Sequence, residues 1–304
     1  MKHYFIINPA AGPKDKSTEL AEMIETVYDG LDYELYFTKG YKDATIQAKK
    51  IASNLTEDTI FYACGGDGTS YEVINGIFGY PKAHFSVIPI GSCNDYLKNF
   101  KDCNFMDLEK LRDGSLFDID IIEVNGHYAV NEVNIGYDAG ANMDCTRYKK
   151  HIKNVNLAYV IALGKNLFKM NRYTKLETED EVLFDDKSLL IACCNGQYYG
   201  GGFRCTPNAI VNDGLFDIVV VKHLSALRFL RMVKYYKKGE HVTHPKLRDI
   251  VFYYQKKEVT IKGKKPFPVC IDGENMITDS VKVKMHHKAI KMLMPIKQEE
   301  GKDV

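Results

Sequence analysis

The chain has 304 residues, 45% of them hydrophobic and 27% charged, too many for one small module and balanced like an ordinary globular protein. Lysine plus arginine number 41 against 40 aspartates and glutamates, a formal net charge of +1. These figures exclude a disordered tail protein, a collagen and a disulfide miniprotein, and no global basic excess marks a dedicated nucleic-acid binder. The eight cysteines, at 64, 93, 103, 145, 193, 194, 205 and 270, include no C-x-x-C pair, so neither a zinc ribbon nor a thioredoxin-type motif is present. The N-terminus turns polar too soon for a signal peptide, and no apolar run approaches a membrane span. A cytoplasmic chain is expected.

The first part alternates strand and helix. Residues 4–8 are a short apolar strand ending in Asn8-Pro9, followed by a turn through Ala10, Ala11 and Gly12. Ser17 then opens a helix in which Leu20, Met23, Ile24 and Val27 share one face. Strands are expected at 33–37, 59–63 and 85–89, and helices from Asp43 and over 71–78. Strands separated by helices imply parallel pairing in a doubly wound α/β domain.

From about residue 118 the rhythm changes. Segments 118–124 and 128–135 flank Asn125-Gly126, a strong hairpin signal. Further strands are expected at 188–194, 216–221, 258–261, 269–272 and 281–285, with helical inserts near 155–170 and 225–238. Runs of strands imply a β-rich second domain.

The segment Cys64-Gly65-Gly66-Asp67-Gly68-Thr69-Ser70 follows a buried strand and precedes an amphipathic helix. Ligands collect beyond the carboxyl ends of parallel strands, where glycines let backbone N–H groups approach phosphate oxygens at a helix N-terminus. The same residues also suit a plain strand-to-helix turn. No Gly-Lys-Ser/Thr follows, so this is not a Walker A loop. Ile90-Gly91-Ser92-Cys93-Asn94-Asp95 and Asn8-Pro9-Ala10-Ala11-Gly12 close two other strands on the same edge. Turn chemistry explains each alone; three together favour a nucleotide crevice.

These motifs, with Glu72, Asn75-Gly76, Asp120, Asn131, Gly136-Tyr-Asp-Ala139, Asn195 to Gly202, Pro207, Asp213-Gly214 and Asp272-Gly-Glu274, resemble the catalytic domain of the diacylglycerol kinase family. The match is closer to its bacterial soluble lipid kinases, which are similar to sphingosine and ceramide kinases, and it runs in order along nearly the whole chain. The resemblance implies a Rossmann-like ATP-binding α/β domain over 1–124 and a β-sandwich lipid-binding domain over 125–293, with the tail 294–304 returning to the first. It implies ATP and Mg²⁺ as cofactors, a lipid substrate at the inner face of the membrane, no nucleic acid, and a homodimer as one assembly. Asn8, Pro9, Ala10, Ala11, Gly12, Thr38, Gly65, Gly66, Asp67, Gly68, Thr69, Ser70 and Ser92 fall where the family holds ATP. Asp67, Asp95 and Asp120 match acidic positions gathered around the catalytic magnesium. Asp213 matches a structural magnesium ligand, with the carbonyls of Ile210 and Leu215 as companions.

Asp272 matches the proposed base of the bacterial enzymes, with Glu274 beside it; in the sphingosine kinases that role goes to the aspartate matching Asp67. Asp272 is preferred as base here, because Asp67 is better placed to organise the metal. Cys93 departs from the family's usual glycine or threonine, and its Cβ would be strained if that backbone took a positive φ. Arg228, Arg231, Lys234 and Lys238 form a basic helical stripe while Leu227, Leu230 and Val233 face elsewhere, and Lys149, Lys150, Lys153, Lys165 and Lys169 add a second basic stretch. Either could hold anionic headgroups or be a solvated face. The reading is transfer of the γ-phosphoryl group of ATP to a lipid hydroxyl, such as that of diacylglycerol. The rivals are an NAD kinase-like enzyme, which shares Gly65 to Thr69 and Asn131-Glu132, and a catalytically silent nucleotide- or lipid-binding protein.

Overall fold

The structure, a computed structural model, describes residues 1–148, 151–152, 155–167 and 172–297. The chain forms two units, Met1–Asp120 with the chain from Lys288 onward, and Ile121–His287. Both divisions lie inside strands, β5 (Ser115–Val124) and β13 (Glu274–Met294).

The first unit alternates β1 (Lys2–Ile7), α1 (Ser17–Val27), β2 (Tyr33–Phe37), α2 (Asp43–Ala52), β3 (Thr59–Gly65), α3 (Asp67–Ile77) and β4 (Ala83–Pro89). A short α4 (Leu108–Arg112) precedes β5. Pairing is parallel, in the order β2-β1-β3-β4, and β13 joins β4 through Met292 and Phe85. All seven residues of β3 are buried, as befits the apolar run of a central parallel strand. Leu20, Ala21 and Ile24 of α1 and Ala44, Ala48 and Ala52 of α2 are buried at helical spacing. Phe5 and Tyr62 stack between β1 and β3 with centroids 4.2 Å apart.

The second unit is antiparallel. It contains β6 (His127–Ala129), β7 (Glu132–Gly136), α5 (Tyr137–Tyr148), α6 (Val155–Leu167), β8 (Arg172–Glu177), β9 (Val182–Cys194), β10 (Phe216–Lys222), α7 (Ala226–Lys238), β11 (Val251–Lys256) and β12 (Glu258–Ile271). The order runs β11-β10-β9-β7-β12-β13, with β8 against β9 and β12. Asn125 and Gly126 turn the β5–β6 hairpin with φ of 49° and 84°, the two left-handed residues that a tight two-residue turn requires.

Several elements differ from expectation for identifiable reasons. The expected strands at 258–261 and 269–272 are joined in one strand ending at Ile271, whose register shifts against β13 between Lys262 and Phe267, so Pro266 is absorbed without ending it. The expected strand 128–135 breaks into β6 and β7, because the N–H groups of Val130, Asn131 and Glu132 turn to the Asp272 side chain. Helix α5 was not expected: it buries Ala139, Gly140 and Ala141 beside Tyr137, Asp144 and Cys145, and so many small and polar residues leave little apolar periodicity to read. Strands β8 and β11 were also missed; β8 buries only Thr174 and Leu176, set between Tyr173, Lys175 and Glu177.

Candidate active site

In the first unit, the loops after β1, β3 and β4 meet through backbone. The Gly91 N–H donates to the Gly65 carbonyl at 3.0 Å. A Cβ on Gly91 would lie 2.4 Å from the Gly66 Cα and 2.6 Å from its nitrogen, and one on Gly12, whose φ is 78°, would lie 2.6 Å from the Ile90 carbonyl oxygen. No side chain fits at either contact, which is the physical demand behind both glycines. Asn8 ties the first loop to the second: its Nδ2 donates to the Thr69 hydroxyl at 3.0 Å, and its Oδ1 accepts the Ala10 N–H at 3.0 Å.

Helix α3 starts four residues earlier than expected, at Asp67, with Gly66 as its extended cap. Asp67, Gly68, Thr69 and Ser70 are therefore the first helical turn. The Thr69 and Ser70 N–H groups donate to the Gly66 carbonyl at 3.0 and 3.1 Å, so an eleven-residue helix opening directly onto a glycine-walled loop offers the Asp67 and Gly68 N–H groups and the positive end of its dipole to an anion. Pro9 and Ala10 form the loop beyond β1 and Thr38 follows β2, so both sit at the same carboxyl ends of the sheet; Ser92 is exposed.

The acidic residues divide. Asp67 Oδ2 accepts the Asn94 N–H at 3.0 Å, and Asp95 is buried and ion-paired with Lys98. Burial raises the Asp67 carboxyl above its usual range, and the negative charge of Asp95 pushes the same way, opposed by the Asn94 N–H. Asn94 itself adopts φ 96°, and its Oδ1 is buried without a hydrogen-bond partner. Cys93 does not have a positive φ; the left-handed residue is its neighbour, so the strain expected at Cys93 is absent. Asp120 is fully buried and accepts the N–H of Lys288 at 2.6 Å. Among the described residues no group of three or more His, Cys, Asp and Glu is placed to hold a metal ion. Asp67, Asp95 and the Asn94 oxygen still make a hard, oxygen-rich and anion-crowded turn that suits Mg²⁺.

In the second unit, Asp272 stands at φ 43° and is buried. Its Oδ2 accepts the Val130 N–H at 2.7 Å, and its Oδ1 accepts those of Asn131 at 3.2 Å and Glu132 at 2.7 Å. Three backbone donors thus engage both oxygens, filling three of the roughly four acceptor positions of the carboxylate. Asp272 thereby anchors the backbone between β6 and β7. Glu274 opens β13 one residue past the turn. Sequence reasoning used Glu132 only as part of a rival motif, yet its Oε2 is buried without a hydrogen-bond partner, and burial lifts its carboxyl well above the ordinary range, with Cys194 and Asp272 adding to the effect. No local pattern marks it, since its burial comes from strand pairing.

A cavity of about 370 Å³ also lies in this unit, walled by Leu190, Phe229, Met232, Tyr236 and Asp138 among others. Asp138 Oδ2 accepts the Tyr199 hydroxyl at 2.7 Å, and Tyr199 meets the Tyr236 hydroxyl at 2.9 Å. Burial raises the Asp138 carboxyl to about 6, against the opposing Tyr199 and Ala139 donors. Helix α7 packs Phe229, Met232 and Tyr236 inward. Leu227 and Leu230 are exposed, at 59% and 63%, as are Arg231, Lys234 and Lys238. Arg228 is engaged with Asp249 at 2.8 Å. Lys149, Lys150, Lys153 and Lys169 lie outside the described residues; Lys165 donates to the Tyr148 hydroxyl at 2.6 Å. In the loop before β10, Asp213 is exposed and its Oδ1 accepts the Leu215 N–H at 2.9 Å, while Ile210 is 55% exposed.

Comparison with known proteins gives the family. The family model of the diacylglycerol kinase catalytic domain matches residues 2–124, and that of the YegS C-terminal NAD kinase beta sandwich-like domain matches residues 131–294. The chain is 27% identical over 275 residues to the diacylglycerol kinase of Bacillus subtilis, covering 88% of each chain. In fold it is similar to a diacylglycerol kinase from Bacillus anthracis, with a TM-score of 0.71 at 22% identity over 96% of both chains. It also shares its fold with yeast NADH kinase, with a TM-score of 0.53 at 10% identity over 99% of this chain and 84% of that one. Two domain matches that together span the chain, a relative aligned over most of its length, and the glycine-walled helix start between β3 and α3 agree: the chain belongs to the bacterial family of diacylglycerol kinases and YegS-like lipid kinases, and is a phosphotransferase.

Proposed function

We propose that the chain transfers the γ-phosphoryl group of ATP to the hydroxyl of a membrane lipid, with diacylglycerol as the leading substrate and phosphatidic acid as the product. The observation that carries this reading is the backbone contact of Gly91 with Gly65 and Gly66 directly before α3. The N–H groups of Asp67 and Gly68 at the head of the helix receive phosphate oxygens, and Gly66 keeps that approach free of side chains. Asn8 and Thr69 hold the two loops in register, and Thr38, Ser92 and the turn from Pro9 to Gly12 complete the nucleotide contacts.

Asp67 and Asp95 would hold Mg²⁺, with Asp120 positioning the strand behind them. When bound, the ion neutralises charge on the phosphates. The Asp67 carboxyl, already disfavoured as an anion by burial, is the group that such a cation would most stabilise. Ile210, Asp213 and Leu215 would hold a structural magnesium. Phosphoryl transfer asks little of a base, because the alcohol proton leaves late in a loose transition state. Asp67 is the better acceptor for it, Asp272 and Glu274 shaping the turn instead. The exposed leucines and cations of α7 suit shallow insertion into an anionic leaflet at the inner face of the membrane.

Incubation with labelled ATP, Mg²⁺ and either diacylglycerol or NAD tests the reading by chromatography. Labelled phosphatidic acid is expected; labelled NADP without labelled lipid decides for the NAD kinase-like rival. Asp67→Asn should lower turnover at least a hundredfold while keeping its bond to Asn94, and unchanged turnover removes Asp67 from the chemistry.

A further inference from the structure

Helix α2 begins without a cap of its own. Its N-cap position is Lys42, which stands at φ 66° and makes no side-chain cap bond, since a lysine side chain has donors only. The cap comes from the neighbouring helix. Glu72 of α3 accepts the Lys42 N–H on Oε1 at 2.9 Å and the Ala44 N–H on Oε2 at 3.1 Å. In an ordinary capping box the corresponding bonds are divided between the N-cap side chain and a residue three positions on in the same helix. Here one carboxylate from another helix makes both, with its charge at the positive end of the α2 dipole.

The two helices are pressed together at the same place. Thr45 Oγ1 donates to the Glu72 carbonyl at 2.9 Å. A Cβ on Gly76 would lie 2.6 Å from the Ala48 Cβ and 2.8 Å from the Thr45 carbonyl oxygen. Glu72 and Gly76 are motif residues to which the phosphate contacts give no task, and they serve one contact: Gly76 lets α2 come close enough for the Glu72 carboxylate to reach its first turn.

What the cap holds is the turn before α2. Thr38, whose N–H donates to the Ile7 carbonyl at 2.8 Å, opens this turn, and Asp43 closes it by accepting the Lys39 N–H at 2.7 Å. Lys42 needs such support, because positive φ is disfavoured for a residue with a Cβ. Strand β2 lies two positions from β3 in the sheet, so about 10 Å, twice the spacing of neighbouring strands, separates Thr38 from the end of β3. That distance is beyond phosphates held at the head of α3 and within reach of the nucleoside joined to them.

From this geometry we propose that Glu72 is a positioning residue for the nucleoside end of ATP: it fixes the turn 38–42 to the helix that carries the phosphates and touches no reacting atom itself. The assignment rests on the nucleotide reading above and adds to it a residue that sets affinity for ATP over bare polyphosphate.

The test is calorimetric titration of the full chain with MgATP and, separately, with magnesium tripolyphosphate, which has the phosphates without the nucleoside. Wild type should bind both. Glu72→Gln keeps the shape but turns an amide N–H₂ toward one of the two N–H groups. It should weaken ATP at least fivefold and tripolyphosphate less than twofold, and raise KM for ATP with kcat within twofold. Thr45→Val removes a further α2–α3 bond without touching the cap; its melting temperature should fall while ATP affinity stays within twofold of wild type. Equal loss of both ligands in Glu72→Gln, unchanged ATP affinity, or an equal ATP loss in Thr45→Val would overturn the assignment. Wild type that does not bind ATP removes the nucleotide reading itself, and the inference with it. The expected binding pattern without labelled lipid supports the role of Glu72 and counts against the lipid substrate alone.

Discussion

Asp272 and Glu132 hold each other through two complementary bonds: the Asp272 Oδ1 accepts the Glu132 N–H at 2.7 Å, and the Asp272 N–H donates to the Glu132 carbonyl at 3.1 Å. The same carboxylate collects the N–H groups of Val130 and Asn131. A side chain at φ 43° accepts that backbone cost only where its bonds repay it.

Replacing Asp272 should therefore act on folding before it acts on chemistry. Asp272→Ala strands three buried N–H groups and should lower stability by about 3 kcal/mol. Asp272→Asn keeps one acceptor oxygen and should fall between. Urea denaturation at neutral pH reads both, and a wild-type midpoint for Asp272→Asn together with lost turnover would return the residue to the role of base.

The glycines of the nucleotide loops separate folding from binding. Gly91→Ala puts a Cβ 2.4 Å from the Gly66 Cα, a backbone clash that should cost about 1–3 kcal/mol, as overpacking does. Gly66→Ala meets nothing closer than 3.5 Å at an ordinary extended φ of −109°. Its melting temperature should stay near that of wild type, while ATP affinity falls at least tenfold because the methyl occupies the phosphate approach. Unchanged ATP affinity in Gly66→Ala would place the phosphates elsewhere.

The loop after β4 should be indifferent to Cys93 and sensitive to Asn94. Cys93→Gly releases no strain, since the positive φ belongs to Asn94, so turnover should change less than twofold. Asn94→Ala puts a methyl-bearing residue at φ 96° and should lower stability by about 1 kcal/mol. Steady-state kinetics on the first variant and thermal melts on the second check the pair. A large activity gain in Cys93→Gly would contradict the backbone assignment.

Half-buried Asp138 predicts a stability that falls with rising pH. Its carboxyl sits at about 6 in the folded chain against 3.8 when free. Its contribution is complete below 3.8, where both states are protonated, and is lost as pH rises through about 6, because only the folded state resists ionisation. Its hydrogen-bond donors are the Tyr199 hydroxyl and the Ala139 N–H, neither of which titrates in that window, and the raised Glu132 carboxyl interacts with it electrostatically, so Glu132→Gln alongside separates the two carboxyls. A shift of this size corresponds to about 2–3 kcal/mol between pH 4 and 7. Asp138→Asn should flatten that part of the profile of urea midpoint against pH; an unaltered profile would mean that the carboxyl is hydrated in the folded chain.

Much of this protein was legible without coordinates. The apolar runs of β1, β3 and β4, the helical spacing of Leu20 and Ile24, and Asn125-Gly126 are local signals, set by periodicity and by φ preference within a few residues. Gly12 and Gly91 were visible as residues, and the motif order along the chain pointed to the family. What local pattern could not carry was partnership. Asp272 has the same sequence signature whether its oxygens face a substrate or three backbone N–H groups 140 residues away, and only strand pairing chose the second. Asp120 likewise resembles any strand carboxylate until Lys288 is brought to it. The cavity beside Asp138 exists because α5, α7 and β9 converge, and void volume is a property of packing between elements that no single stretch of sequence contains.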